Sequence, residues 1–122
     1  MRHEFPDASC GLLGEFFATL AHATRMRIMC VLQQGPLTVT EIAAHAGITI
    51  PNASQHLRMM RERGAVIAEK QAQNVHYRIA DPRIVEAMQL IRRTLTERLR
   101  INAKQASAGS PRRVAHRALQ AS

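Results

Sequence analysis

Aromatic side chains are scarce in this 122-residue sequence, which has three Phe, one Tyr and no Trp. Proteins that bind single-stranded nucleic acid stack the bases on aromatic side chains, so this composition disfavours that class. The chain also lacks an apolar run close to the roughly 18 residues of a membrane span, and its first ten residues contain no apolar signal-peptide segment. These absences predict a protein that works in the cytoplasm.

Chemistry-bearing motifs are scarce too. The two cysteines, Cys10 and Cys30, form neither a CxxC redox pair nor a four-ligand zinc pattern, and they are too few for a disulfide framework. The sequence has no Gly-rich phosphate loop, no paired carboxylates at useful spacing and no nucleophile with a plausible base. The pattern disfavours an enzyme, and the length predicts one domain with one function.

Positive charge is what the chain has in excess. It carries 17 Lys and Arg against 9 Asp and Glu, a net charge of +8, which favours a polyanionic partner such as double-stranded DNA. Residues 102–122 hold four of the basic residues and no acid, with a Gly-Ser-Pro break among small and polar residues. This composition predicts a basic, disordered tail, and residues 1–9 are predicted to be a flexible N-terminal segment.

Hydrophobic spacing predicts that residues 10–101 form one mainly α-helical domain with a small β-hairpin. Helices are predicted at about 10–22, 24–34, 39–45, 49–64 and 82–101, and hairpin strands at 65–70 and 75–80. Gly35 and Pro36 stop the second helix, Thr38 with Glu41 forms a capping box for the third, and Thr49 caps the fourth. A helix-turn-helix followed by a hairpin predicts a winged helix-turn-helix.

The fourth helix combines an apolar face with a polar, cationic one. Ala53, Leu57 and Met60 share one side, and no acid precedes Glu62. Such a helix fits the major groove of B-DNA, while the hairpin can lie along flanking phosphates or the minor groove. A polar face that is merely solvated is the alternative. The candidate DNA contacts are Thr38, Thr40, Thr49, Asn52, Ser54, Gln55, His56 and Arg58 in the helices, and Lys70, Gln73, Asn74 and His76 in the hairpin.

The stretch from Leu20 to Pro82 resembles the ArsR/SmtB family of bacterial winged-helix regulators. The resemblance rests on "TRMRIMCVL", on "TEIAAHAGIT" leading into "NASQHLRMMRERGAV", and on "VHYRIADP". It implies a homodimer through the first and last helices, with two recognition helices on a palindromic operator. It also implies a repressor that an effector releases from DNA.

Soft-metal sensors of the family carry a Cys-x-Cys at the start of the third helix, where this chain has Thr38 and Thr40. Hydroxyl groups are poor ligands for soft metals. The family's zinc site matches at two carboxylates, but Arg83 and Thr94 stand where its two imidazoles would be. We therefore predict no metal site and no cofactor.

Cys30 lies off the main apolar stripe of the second helix, since at 100° per residue it falls about 200° from Ile28. Sulfur- and oxidant-responsive members of the family look similar here, but their second cysteine lies in the last helix, where this chain has Thr96. Cys10 is the candidate partner. Cys30 could also be a small buried packing group. Four possibilities stay open for the effector: thiol sensing, an unidentified ligand, soft-metal or metalloid binding by Cys10 and Cys30, and no effector. The runner-up to a regulator is a non-specific architectural or RNA-binding protein.

Overall fold

The computed structural model describes residues 7–108, which form five helices and three strands. The order of these elements is α1 (Asp7–Leu20), α2 (Ala23–Leu32), β1 (Leu37–Thr38), α3 (Val39–Ala46), α4 (Ile50–Glu62), β2 (Val66–Gln71), β3 (Asn74–Ile79) and α5 (Pro82–Ala108).

Side-chain caps set the boundaries of the helix-turn-helix. Thr38 Oγ1 accepts from the backbone N–H of Glu41 at 3.2 Å, and the Glu41 carboxylate accepts from the N–H of Thr38 at 2.9 Å. Gly47, with φ of 72°, ends α3 in the left-handed conformation that glycine adopts readily. Thr49 then caps α4 by accepting from the N–H of Asn52 at 3.2 Å. These contacts confirm the predicted caps.

The wing is part of a three-stranded antiparallel sheet in the order β1-β3-β2. Strands β2 and β3 pair as far as Gln71 and Asn74, and Ala72 adopts a positive φ of 57° in the two-residue turn between them. Strand β1 pairs with the other edge of β3, with Thr38 opposite His76. Sequence reasoning missed β1, because two residues are too short to show a period.

The hydrophobic core lies within a compact unit that extends to Pro82. Helix α3 packs against both α2 and α4, while α4 also contacts β2 and α2 contacts β3. Arg27 of α2 also donates to the carbonyl of Ala46 at 3.1 Å, which satisfies one backbone acceptor in the last turn of α3. The largest fully buried apolar side chains are Ile28, Met29, Ile42, Leu57, Met60 and Val66.

A second compact unit begins at Arg83 and contains the rest of α5. This helix continues to Ala108, whereas the sequence predicts an end near Ile101 and assigns residues 102–108 to the disordered tail. Ala, Lys and Gln in that stretch are good helix formers, which explains the extension. Helix α1 likewise begins at Asp7, inside the predicted flexible segment. The remaining residues of both segments, 1–6 and 109–122, lie outside the described residues.

Candidate nucleic-acid interface

Helix α4 presents two faces of opposite character. Ala53, Leu57 and Met60 are fully buried against the rest of the unit, as predicted. The polar side chains of Asn52, Ser54, Gln55 and Arg58 are exposed, together with the cap residue Thr49. Amide groups can pair with adenine and a guanidinium with guanine or phosphate, so this face carries side chains suited to reading a major groove.

His56 differs from the other polar residues of α4, because it is half-buried and turned toward α2. Its Nδ1 accepts a hydrogen bond from Nε of Arg25 at 3.3 Å, and its ring lies 4.9 Å from the ring of His22. Burial, and then the neighbouring His22 and Arg25, lower the pKa of His56 below its usual 6.5. His56 was predicted as a DNA contact. The structure places its side chain between helices, and DNA contact by this side chain stays a prediction.

Four predicted contacts come together at a groove between the start of α3 and the tip of the wing. The groove has a volume of about 370 Å³. Thr38 there is committed to the capping box, and its hydrogen bonds lower the pKa of Glu41. Thr40 is exposed beside it, so the groove opens on hydroxyl and amide groups that can bind phosphate oxygens. Its lining residues are Thr38, Val39, Thr40, Gln73, Asn74, Val75 and Tyr77.

Positive charge along the wing is partly neutralised within the sheet. Arg78 forms a two-point ion pair with Glu69, at 3.4 Å from Nε and 3.3 Å from Nη2, and also donates to the carbonyl of Ile79. Lys70 is exposed near the tip. His76 is half-buried, and its Nδ1 has no hydrogen-bond partner among the described residues. Of these side chains, Lys70 is exposed and without an ion pair in the sheet, and its contact with DNA stays a prediction.

The two cysteines lie in different settings. Cys10 is exposed and lies within α1. Cys30 is half-buried on α2 and lines an open cavity of about 460 Å³, together with His45 of α3 and the α2–β1 loop around Pro36. Neither cysteine forms a disulfide, and the cavity makes Cys30 accessible to a small reagent.

No group of three His, Cys, Asp or Glu side chains that could hold a metal ion occurs within residues 7–108. In the same range, no helix is both long and apolar enough to cross a membrane.

Several residues near the site were absent from the predicted set, among them Tyr77 and Arg25. Tyr77 lines the groove at the wing, and Arg25 holds His56. The inward position of His56 could have been inferred from spacing, because it lies three residues after Ala53 and four before Met60. The position of Tyr77 depends on β1, so no local pattern marks it.

Comparison with known proteins decides the family. Residues 22–68 match the model described as bacterial regulatory protein, arsR family. A probable mercury resistance operon repressor from Streptomyces lividans is 32% identical over 89 residues, covering 73% of this chain and 71% of that protein. The chain belongs to the ArsR family.

Other ArsR-family similarities agree. A biofilm growth-associated repressor from Agrobacterium fabrum is 38% identical over 76 residues, covering 60% of this chain and 65% of that protein. A homodimeric winged helix-turn-helix DNA-binding domain from Mycobacterium bovis superposes with a TM-score of 0.71 at 26% identity, covering 80% of this chain and 94% of that one. Membership of the ArsR family confirms the predicted winged helix-turn-helix fold. It also confirms that the protein is a DNA-binding transcriptional regulator and not an enzyme.

Proposed function

We propose that this ArsR-family regulator is a cytoplasmic homodimeric repressor that binds a palindromic operator and leaves it when an effector acts on the protein. The observation that carries the proposal is the exposed polar face of α4. Asn52, Gln55 and Arg58 project from a helix whose opposite face is fully buried, so the scaffold fixes their direction. The N-terminal half of α4 is thereby the part that enters the major groove.

Exposed apolar side chains support the dimer. Helix α1 exposes Leu12, Leu13 and Phe17, and α5 exposes Ile91 and Leu95, each by nearly half or more. Two-fold pairing of these helices would bury both stripes and repeat the same contacts in each protomer. The structurally similar domain from Mycobacterium bovis is a homodimer. In such a dimer, two copies of α4 reach successive major grooves about 34 Å apart.

Specific DNA binding is tested with a duplex from the region upstream of the protein's own gene. We expect a gel shift that excess scrambled duplex of equal length and composition does not remove. Equal competition by the scrambled and the upstream duplex would contradict a sequence-specific regulator and favour a non-specific architectural protein. Sedimentation at micromolar concentration tests assembly, and a monomer mass there would contradict the dimer.

We propose that the effector acts through thiol chemistry, either redox or reactive sulfur, at Cys30 with Cys10. Two features support the proposal: Cys30 borders an open cavity, and Cys10 is exposed on α1. The cavity also reaches His45 on α3, the helix that packs against α4. A modification at Cys30 would therefore lie close to α3, the first helix of the helix-turn-helix.

The thiol proposal is tested by DNA affinity with and without an oxidant, a polysulfide or a thiophilic metal. We expect wild type to lose affinity after oxidant or polysulfide, and Cys30→Ser to keep it. A response to the thiophilic metal alone would favour soft-metal or metalloid sensing. The similarity to a probable mercury resistance operon repressor from Streptomyces lividans supports this alternative. Equal responses of wild type and Cys30→Ser would make the thiol a packing group.

A further inference from the structure

A cluster of polar side chains joins the end of α1, the start of α2 and the middle of α4. We call it the Arg25 cluster and define it by Thr19, His22, Arg25, His56 and Arg63. Arg25 lies at its centre, since Nη1 donates to the carbonyl of Thr19 at 3.1 Å while Nε donates to Nδ1 of His56 at 3.3 Å. One guanidinium thus connects the last turn of α1 to the recognition helix.

The other members hold the cluster from both sides. His22 caps α2 by accepting from the N–H of Thr24 at 3.2 Å, and its ring lies 4.9 Å from that of His56. Thr19 is a buried polar residue whose hydroxyl donates to the carbonyl of Glu15 at 2.9 Å and accepts from Arg63 at 3.5 Å. Helix α4 and its C-cap residue are therefore tied to α2 and α1 through polar contacts, at His56 and Arg63 respectively.

The contact between Arg25 and His56 requires a neutral imidazole. Arginine stays protonated and can only donate, so Nδ1 of His56 must carry its lone pair. A proton on Nδ1 removes the acceptor and places a positive ring against the guanidinium. Burial, His22 and Arg25 all lower the pKa of His56, so the fold favours the neutral form near neutral pH.

Charged groups on the other elements around α4 have partners elsewhere or lie exposed. Glu41 of α3 is engaged with Thr38 and is influenced by His45 and His76, and Glu69 of β2 pairs with Arg78. Lys70 lies exposed at the outer part of β2, and Glu15 of α1 enters the cluster through its backbone carbonyl. The charges that act on His56 are accordingly those of Arg25 and His22.

We propose that Arg25 and His22 are positioning residues, which hold α4 in its DNA-binding orientation through neutral His56, so that operator affinity falls when His56 takes up a proton. This inference rests on the proposed function. Protonation leaves a smaller fraction of the protein with α4 correctly placed, and the apparent Kd rises in inverse proportion to that fraction. Because the folded pKa lies below the ordinary 6.5, the contact is intact above that pH and is lost as pH falls through the folded value.

The test compares DNA affinity across pH in variants that keep or remove each contact. In His56→Gln, the amide oxygen can still accept from Arg25 but does not titrate. His22→Asn keeps an N-cap acceptor for α2 while removing the imidazole. Arg25→Gln removes the guanidinium, and His45→Gln is the matched control, because His45 is an exposed histidine outside the Arg25 cluster.

Fluorescence anisotropy with the upstream duplex gives Kd between about pH 7.5 and pH 5.5, and circular dichroism at each pH gives the folded fraction. After correction for folding, we expect wild type and His45→Gln to weaken by roughly fivefold or more, and His56→Gln to weaken far less. Arg25→Gln should bind more weakly at every pH. His22→Asn should shift the transition to higher pH, because loss of the neighbouring charge raises the pKa of His56.

A pH slope in His56→Gln equal to that of wild type, or unchanged affinity in Arg25→Gln, would overturn the proposal. A second measurement separates it from the proposed function. The NMR signal of the His56 ring is titrated without DNA, together with the amide signals of Gln55 and Arg58. Amide signals that shift with the same pH dependence as the His56 ring in wild type, but not in Arg25→Gln, support positioning even if the upstream duplex is not bound specifically. Amides that ignore the proton overturn it whatever the DNA result.

Discussion

Helices α4 and α5 share one sequence pattern but differ in what covers their apolar side. On α4, Ala53, Leu57 and Met60 have no exposed surface, whereas Ile91 and Leu95 on α5 are 45% and 48% exposed. Helical spacing alone states that a face is apolar, and it does not state whether the covering surface belongs to the same chain. On the proposed function, the buried helix orients polar groups for DNA, while the exposed one offers a surface to a second copy.

The largest effect is expected where α4 is fully covered. Leu57→Ala leaves a cavity beneath the recognition helix and should lower the free energy of unfolding by about 4 kcal/mol. Leu57→Met conserves volume and should cost less than about 1.5 kcal/mol. Urea unfolding at one fixed protein concentration measures both, and a loss below that of the Met variant would contradict the tight packing of α4.

Substitution on α5 should act on assembly more than on folding. Leu95→Glu places a charge on the exposed apolar stripe, and in a two-fold dimer the charge is buried twice. We expect the dimer to weaken by about 3 kcal/mol, seen by sedimentation as a monomer at concentrations where wild type is dimeric. Gln89→Glu adds the same charge at an exposed polar position of α5 and should leave assembly unchanged. Equal behaviour of the two variants would exclude this stripe from the interface.

The polar side of α4 should govern DNA affinity without affecting stability. Gln55→Ala removes an exposed amide suited to adenine and should weaken binding to the upstream duplex by about 1 to 3 kcal/mol. Gln105→Ala makes the same change at an exposed position of α5 and should bind like wild type. Anisotropy titration compares them, and unchanged affinity in Gln55→Ala would mean that another face reads the DNA.

The smallest effect is expected at the cap of α4. Thr49→Ala removes the acceptor for the N–H of Asn52 and should cost about 1 kcal/mol of stability, while Thr49→Ser should retain most of it. Thermal unfolding measures the difference. If the Ala and Ser variants unfold at the same temperature, water replaces the cap, and Thr49 does not contribute to the stability of α4.

Features with a local cause were predictable from the sequence. The capping box at Thr38, the cap at Thr49 and the end of α3 at Gly47 each follow from residues within a few positions of one another. The hairpin was predicted too, but with residues 71–74 between its strands, whereas Gln71 and Asn74 pair and leave a two-residue turn. The buried side of α4 was predictable as well, because Ala53 and Leu57 repeat at helical spacing. The resemblance to the ArsR/SmtB family rested on stretches of sequence within these elements, and the comparisons confirmed it.

Features that depend on contacts distant in sequence were not predictable in the same way. His56 lies 31 positions from Arg25, and nothing near it in the chain marks the hydrogen bond that joins them. The two residues of β1 become a strand because β3 offers a free edge. The end of α5 was placed too early, because a low content of apolar residues was read as disorder where Ala-rich composition supports a helix.

Thr38 belongs to the sheet and to the helix-turn-helix at once, since it pairs with His76 and caps α3. The wing is therefore joined directly to α3, the helix that braces α4. On the proposed function, the fold therefore fixes the distance between the major groove read by α4 and the DNA backbone contacted by the wing. One extra base pair, about 3.4 Å along the duplex, then puts the two contacts out of register.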